Sequence, residues 1–397
     1  MRWSADATLD EYRAGFRRFL AEHSPGRKPH SGVRAPEAEL IPAIRAFTAA
    51  LYGAGYLGQT WPERFGGDPA HDPRKGFVVA EEIARARTWD QVGAGALAAG
   101  ALIAFGSDAL KEALLPRIRS GEDLWCQLFS EPGAGSDLAA LSTRAVADGD
   151  DFVVTGQKVW TTNGHFADLG YLLARTDPTA PKHRGITAFA LDMRTPGVDV
   201  RPLREITGTT DFNEVFLDGV RIRRDRVIGE VNDGWRVANA SLVHERSSVA
   251  ARGVDLQVQL QELFDLAAST RVDGVAAAEH PSYRRELGEL AVQAHVLELM
   301  SKAVQSRIVA GTEDAADAPL VKVFFSELNL ASTELGIALQ GADGLLVEGD
   351  ARAVTDGWWQ DAFLYSRAYT IAGGANEVLR TVIAERALGL PREPRPA

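Results

Sequence analysis

Residues 130–137 read Ser-Glu-Pro-Gly-Ala-Gly-Ser-Asp, a turn better suited to cradling a phosphate than to acid–base work. Gly133 and Gly135 place no side chain between backbone and ligand and tolerate positive φ. Consecutive N–H groups in such a turn form a concave donor site, and Ser130 and Ser136 add hydroxyl donors without adding charge. Further on, Trp160 offers a flat apolar face for a ring system. Thr162 follows two residues later and projects to the same side of a strand, so one surface carries an aromatic wall and a hydroxyl. This combination reads as the bed of a flavin. The same Pro-Gly-Ala-Gly-Ser-Asp run also suits an ordinary surface turn. It is no Rossmann fingerprint, because the third glycine is missing and the chain runs on into a hairpin instead of a helix.

The elements that must position these residues follow from periodicity. From residue 5 to about 121, apolar residues recur at three- and four-residue spacing, as in Tyr12, Phe16, Phe19, Leu20 and again Leu40, Ile44, Phe47, Leu51. That spacing predicts helices, broken at Pro25, Pro29 and over 53–69. The period changes near Leu124. Asp148-Gly149 reads as a two-residue hairpin turn leading into a strand at 152–155. Further strands are expected at 171–174, 186–191, 198–201 and 213–217, the last followed by a second turn at Asp218-Gly219. Short strands with turn signals predict a small antiparallel barrel or sandwich. Helical spacing returns at Trp235 and predicts helices over 237–268, 282–310, 320–340 and 376–388, an antiparallel bundle. The expected class is therefore α+β, with a helical domain over 1–123, a β domain over 124–233 and a helical bundle over 234–397.

Composition narrows the field. A net charge of −11 argues against nucleic acid or an anionic membrane as partner. The lone cysteine, Cys126, excludes an internal disulfide framework, suits a reducing cytosol, and reads as a small buried hydrophobe. The eight histidines show no ligand spacing and predict no metal site. The N-terminal residues have no apolar core of the signal-peptide kind. The greasy run at 92–106 is too short and too rich in Gly and Ala to span a bilayer, so a packed helix is expected.

Three separated segments, Phe129-Ser-Glu-Pro-Gly-Ala-Gly-Ser-Asp137, Trp160-Thr-Thr-Asn163 and Ile371-Ala-Gly-Gly-Ala-Asn-Glu-Val378, occur in an order that resembles the acyl-CoA dehydrogenase family. The likeness covers nearly the whole chain. It implies FAD as cofactor, with the turn lying over the flavin and its phosphates, Trp160 beside the isoalloxazine and the Thr162 hydroxyl on flavin N5. Residues implied at the cofactor are Gln127, Phe129, Ser130, Gly135, Ser136, Trp160, Thr162, Asn376 and Glu377. Ser136, Arg246 and Gly374 are implied at the substrate.

The resemblance also locates a base. Many members carry a catalytic glutamate in the late motif, where this chain has Gly373. Long-chain and branched-chain members instead place it on the first bundle helix, one residue before an arginine, which matches Glu245 and Arg246. Ala238, Leu242, Glu245 and Val249 share one helical face, bordered by Ser241 and Ser248 and closed by Arg252. A carboxylate in such a stripe is partly desolvated and its proton affinity raised, as a base acting on a weak carbon acid requires, although an inward Arg252 would oppose the shift. The implied reaction is 2,3-dehydrogenation of an acyl-CoA thioester to the enoyl-CoA, Glu245 taking the α-proton while hydride passes to flavin N5. The Gly373 backbone N–H would steady the thioester oxygen. Glu377 is the second candidate base, and His244 reads as a packing residue.

Two departures concern partners. Homodimeric relatives complete the adenosine half of the flavin site with an Arg-x-x-Phe-Gly segment and a Gln-x-x-Gly-Gly-x-Gly segment. The first has no counterpart in 263–283, which reads as a helix end and an Ala/Asp-rich loop; the second is reduced to Ala338-Leu-Gln-Gly-Ala-Asp-Gly344. The expectation is a homo- or hetero-oligomer, with a second acyl-CoA dehydrogenase-like chain completing the site as in heterotetrameric members acting on steroid side chains. An electron-transferring flavoprotein is the implied electron acceptor. The rival readings are a flavin oxidase or monooxygenase of similar fold and a catalytically inert partner subunit.

Overall fold

A computed structural model of the chain describes residues 6–89, 92–243 and 248–392. The first part is helical: α1 (Ala7–His23), α2 (Ile41–Gly53), α3 (Arg74–Ala86), α4 (Gly95–Phe105) and α5 (Asp108–Arg119). Asp6 caps α1, its carboxylate accepting the Thr8 N–H at 3.1 Å, which satisfies one of the free donors of the first turn. The Ala/Gly-rich run forms α4, with Ala98, Ala99, Ala101 and Leu102 buried. Among the described residues no helix is long and apolar enough to cross a membrane.

The middle part is an eight-stranded sheet. Its strands are β1 (Trp125–Leu128), β2 (Arg144–Asp148), β3 (Asp151–Thr162), β4 (Leu169–Arg175), β5 (Ile186–Asp192), β6 (Val198–Leu203), β7 (Phe212–Arg223) and β8 (Val227–Ile228). The order is β6-β7-β3-β2-β4-β5-β8, with β1 beside β4. The expectation of a wholly antiparallel sheet is corrected: β4 runs parallel to β1 and, at Arg144 and Arg175, to β2. Parallel neighbours need a crossover connection, and the β2–β3 hairpin supplies it between β1 and β4.

Both expected turns shift. Asp148 pairs with Asp151, so the hairpin loop is Gly149-Asp150, with Gly149 at φ 61°. Asp218-Gly219 is no turn but a bulge inside β7, since Val154 pairs with Val220 while Gly156 pairs with Leu217. The extra residue is absorbed by Gly219 at φ 63°, as a bulge with a left-handed glycine requires.

Helices return as α6 (Gly234–Val243), α7 (Ser248–Ser269), α8 (Pro281–Ala310), α9 (Asp317–Gln340), α10 (Trp358–Ile371) and α11 (Asn376–Val382), the last passing into a π turn at Ile383–Ala387. The helix end expected after residue 263 is the end of α7, and the Ala/Asp-rich loop beyond it carries a small hairpin, β9 (Arg271–Val272) with β10 (Val275–Ala276). Helix α10 was not expected from the sequence pattern. Its Trp359 is fully buried in a core with Leu256, Leu260, Phe325 and Leu335, so the Trp358-Trp359 pair serves the bundle interior. A separate core joins α4, α5 and α6 to the sheet through Leu102, Leu115, Tyr171 and Val237. Cys126 is buried in a third, within the sheet, and burial pushes its thiol up to about 12.

Candidate active site

The flavin-bed turn is fixed from below by an ion pair that sequence reasoning passed over. Lys158 on β3 is fully buried and donates to the Glu131 carboxylate at 2.8 Å and to the Phe129 carbonyl at 3.0 Å. The same carboxylate accepts the Ser142 N–H at 2.6 Å, the Ser142 hydroxyl at 2.8 Å and the Thr143 N–H at 2.9 Å. Burial works against the Glu131 charge, but Lys158 and these donors hold its carboxyl down at about 2, while burial draws Lys158 down to about 8. The surface turn is thus clamped to β3 and to the start of β2. The only sequence signal was alternation, which put Lys158 on the apolar face of its strand with Val154.

Clamped in this way, the turn presents its backbone outward. Glu131 and Ala134 exchange N–H···O bonds at 3.0 Å, and the Ser130 carbonyl accepts the Val159 N–H at 3.0 Å. The N–H groups of Gly133, Gly135 and Ser136 have no backbone acceptor among the described residues. Gly133, Gly135 and Ser136 are exposed, Ser130 is half-buried, and a Cβ built on either glycine meets nothing within 4 Å. This is the open donor surface expected of a phosphate cradle.

Trp160 sits in a second bulge. Lys158 pairs with Val215 and Thr161 with Asn213, so Val159 and Trp160 together oppose Glu214. Trp160 takes φ 58° and is 61% exposed, an outlier for a bulky residue that marks a held, outward-facing ring. The bulge breaks strict alternation, yet Thr162 pairs with Phe212, whose ring lies 6.1 Å from Trp160 and edge-on to it. Trp160 and Thr162 therefore do border one surface. Beneath it, Thr161 Oγ1, Asn163 Oδ1 and Asn213 Oδ1 are buried without hydrogen-bond partners among the described residues.

Other expected residues are placed differently. The Phe129 ring turns into the core and meets Tyr171 edge-on at 4.9 Å, leaving its backbone as the part that could meet a ligand; Gln127 is half-buried on β1. The Asn376 side chain likewise turns inward. Its Oδ1 accepts from Lys322 at 2.8 Å and from Ser326 at 3.1 Å, and its side chain is buried and spent on α9. Lys322 also donates to the Gly374 carbonyl at 2.7 Å, so this lysine, likewise unforeseen, holds the late turn. Burial, with Arg252 nearby, draws Lys322 down to about 8. Gly373 and Gly374 take φ 67° and 98°, and Gly373 is exposed with no acceptor for its N–H among the described residues. Glu377 is exposed in the first turn of α11.

Glu245, Arg246 and His244 lie outside the described residues. Their flanks are informative. Ser241, four residues before Glu245, is buried, and its hydroxyl meets the Tyr171 hydroxyl at 3.3 Å, the same Tyr171 that packs on Phe129 at the foot of the turn. On the other side Ala251, with Asp255 and Gln259, lines a cavity of about 790 Å³ bounded by α3, α4, α9 and α10. No described contact joins the late turn to the flavin-bed turn directly. The late turn reaches α7 through α9, where Arg252 lies over the Phe325 ring at 5.6 Å.

The residues present fit a flavin: free N–H groups in a glycine turn, an exposed indole, and unpartnered polar atoms below it. Family models agree with this geometry along the chain. The acyl-CoA dehydrogenase N-terminal, middle and C-terminal domains match residues 6–122, 126–220 and 232–388. The chain belongs to the acyl-CoA dehydrogenase family, whose cofactor is FAD. Among its relatives, acyl-CoA dehydrogenase FadE34 of Mycobacterium tuberculosis is 39% identical over 96% of this chain, which spans 51% of that protein's length. Acyl-CoA dehydrogenase IpdE1 of the same organism is 37% identical over 97% of this chain and 98% of its own. The ChsE4-ChsE5 complex from M. tuberculosis matches in three dimensions with a TM-score of 0.84 at 30% identity, covering 99% of this chain and all of that one.

Proposed function

We propose that the chain carries out FAD-dependent 2,3-dehydrogenation of an acyl-CoA thioester, with Glu245 as the base that takes the α-proton. The observation that carries this reading is the placement of the residues flanking Glu245. Through Tyr171, Ser241 meets the Phe129 ring at the foot of the flavin-bed turn, and Ala251 opens onto a large cavity. The described residues on either side of Glu245 in the chain thus touch the core under the flavin-bed turn and an acyl-sized space. FAD, when bound, supplies the acceptor for the hydride of the β-carbon. Ser130, Gly135, Ser136, Trp160 and Thr162 would hold it, with Gln127 on β1 and Phe129 just after that strand beneath them. The Gly373 N–H donates to the thioester oxygen as charge gathers there, and the Lys322 bond to Gly374 keeps that donor aimed. Ser136, Arg246 and Gly374 border the CoA thioester.

Glu245→Gln is the decisive variant. Substrate added anaerobically should bleach the flavin of the wild type, whereas the variant should retain flavin and bind ligand but bleach at least about a thousandfold more slowly, in keeping with loss of a general base and its proton-accepting step. Rapid bleaching by the variant removes Glu245 from the role.

We further infer a heteromeric assembly, since the Ala338–Gly344 segment is reduced and 263–283, a helix end with a short hairpin over 271–276, has no counterpart of the adenosine-binding segment that the family resemblance implies. The ChsE4-ChsE5 relative is a complex of two chains. Co-expression with a second acyl-CoA dehydrogenase-like chain should raise flavin content well above that of this chain alone. A fully flavinated homo-oligomer from single expression contradicts the inference. Electron-transferring flavoprotein is the proposed acceptor, and steady peroxide formation without added acceptor would favour an oxidase instead.

A further inference from the structure

Two residues of the segment that carries Trp160 and Thr162 hold left-handed backbone without being glycine: Trp160 at φ 58° and Asn163 at φ 60°. For a tryptophan this conformation is strained, and such strain persists only where the surroundings over-determine it. Those surroundings are the first residues of β7. Thr161 pairs with Asn213 and Thr162 with Phe212, a register shifted by one residue from the Lys158–Val215 pair before the bulge. Asn213 Nδ2 donates to the Thr161 carbonyl at 3.0 Å, and the Asp211 carbonyl accepts the Asn163 N–H at 3.1 Å. Both bonds lie beyond the bulge and hold the shift in place. What holds the start of β7 comes from outside the sheet. The Asp211 side chain is buried; one carboxylate oxygen accepts the Ala35 N–H at 2.7 Å, and the other accepts Arg34 Nη1 at 3.0 Å and the Thr209 hydroxyl at 2.8 Å. Asp211 is thus tied by its side chain to the segment between α1 and α2, and by its carbonyl to the end of β3.

We propose that Asp211 is a positioning residue for the flavin: anchored by its carboxylate to Arg34 and Ala35, it holds the strained Trp160–Asn163 backbone by its carbonyl and so presets Trp160 and Thr162. The proposal rests on reading that segment as the flavin bed. A bed shaped in advance does not have to be formed when FAD binds. Where the competent shape falls to a fraction of the population, the apparent affinity falls by the same fraction. Asp361 supplies the contrast. It takes the same guanidinium from α10 at 2.7 and 2.9 Å, but among the described residues it makes no hydrogen bond to β7 or to the residues leading into it. Weakening it costs stability and leaves the bonds of Asp211 to Ala35 and Thr209 in place.

The test compares Asp211→Asn, Asp361→Asn and Trp160→Leu with the wild type, each loaded with FAD and with its partner chain where one is needed. FAD affinity is read by equilibrium dialysis of the loaded protein, and the backbone over 160–163 by amide hydrogen exchange. Asp211→Asn should loosen FAD about tenfold and speed exchange over 160–163 by a similar factor. Asp361→Asn should lower the melting temperature yet leave both readings within about twofold of wild type. Unchanged affinity and exchange in Asp211→Asn, or equal loosening in both aspartate variants, overturns the proposal. Should Asp211→Asn fail to fold, the wild type decides: an Asn163 amide exchanging as slowly as Val154 in the middle of β3 upholds the anchor, and one exchanging like a frayed strand end overturns it. Trp160→Leu separates this proposal from the reading beneath it. Indifference of FAD affinity to Trp160→Leu removes the flavin bed itself and the proposal with it, whereas loosening in Trp160→Leu but not in Asp211→Asn removes the proposal alone. Neither reading depends on which substrate is oxidised.

Discussion

Glu131 and Lys158 show how a turn with little charge on its exposed face is held by charge underneath. A buried ion pair is weak evidence for stability in itself, because desolvation offsets much of the Coulomb gain. Here the pair instead fixes direction: with Lys158, Ser142 and Thr143 all donating to one carboxylate, the Gly133–Ser136 backbone has a single way to face. The consequence is a defined acid sensitivity. Glu131 is held at about 2, well below its ordinary 4.5. An acid whose folded value is depressed contributes stability in full above its unfolded value and loses it as pH falls toward the folded one. Urea denaturation of the wild type should therefore show stability falling between about pH 4.5 and 2, and Glu131→Gln, though less stable at neutral pH, should show a flatter slope over that range. Parallel slopes for the two proteins would remove Glu131 as the source. At the same scale, Phe129 and Asn376 sit in recognisable motifs yet turn inward, a reminder that a motif fixes residue type before it fixes which atom meets the ligand.

Among the elements, long periodic segments were legible and local corrections were not. Helices α1, α2, α8 and α9 follow from three- and four-residue spacing, β4 and β5 from short apolar runs between turn residues, and β6 from alternation. Helix α10 is poorly marked: it begins Trp-Trp, is rich in aromatic residues of modest helix propensity, and is preceded by Thr355, Asp356 and Gly357 at positive φ, with no side-chain cap. Asp-Gly reads as a turn wherever it occurs, yet Asp218-Gly219 becomes a bulge because β3 and β7 pair on both sides of it, a fact about a partner strand more than 50 residues away. The Trp160 bulge is hidden for the same reason. Its effect on the site is large, for it swings the indole outward while returning Thr162 to register with Phe212. Lys158 and Lys322 were invisible as anchors because their partners, Glu131 and the Gly374 carbonyl, are brought to them only by the fold. The flavin bed could thus be located by residue type, whereas what stiffens it could not.

At the level of the whole molecule, one residue ties the three parts together. Arg34, on the segment between α1 and α2, is 4% exposed and donates to Asp211 before β7 at 3.0 Å and to both Asp361 oxygens on α10 at 2.7 and 2.9 Å. Its guanidinium also lies over the Tyr365 ring at 4.4 Å, while the Tyr365 hydroxyl accepts the Val33 N–H at 3.0 Å. Gly32, at φ 87°, allows this approach, since a Cβ there would stand 2.1 Å from the Tyr365 ring. The same segment supplies His30, Ser31 and Gly32 to the cavity wall, so the joint that couples the helical, sheet and bundle parts also sets one side of the acyl space. Removing Arg34 leaves two carboxylates buried without their cation, which costs on the order of 3–5 kcal/mol. The pH dependence of that cost has a definite sign. Burial already raises Asp361 above its ordinary value, with Arg34 the principal group opposing the rise. In Arg34→Met only His30 is left to oppose the rise, the folded state binds the Asp361 proton more tightly than the unfolded state does, and stability is regained as pH falls through the raised value. Thermal melts should show the variant far below wild type at pH 7.5 and the gap narrowing toward pH 5; a gap of constant size across that range would mean that Arg34 acts by packing on Tyr365 and not by charge.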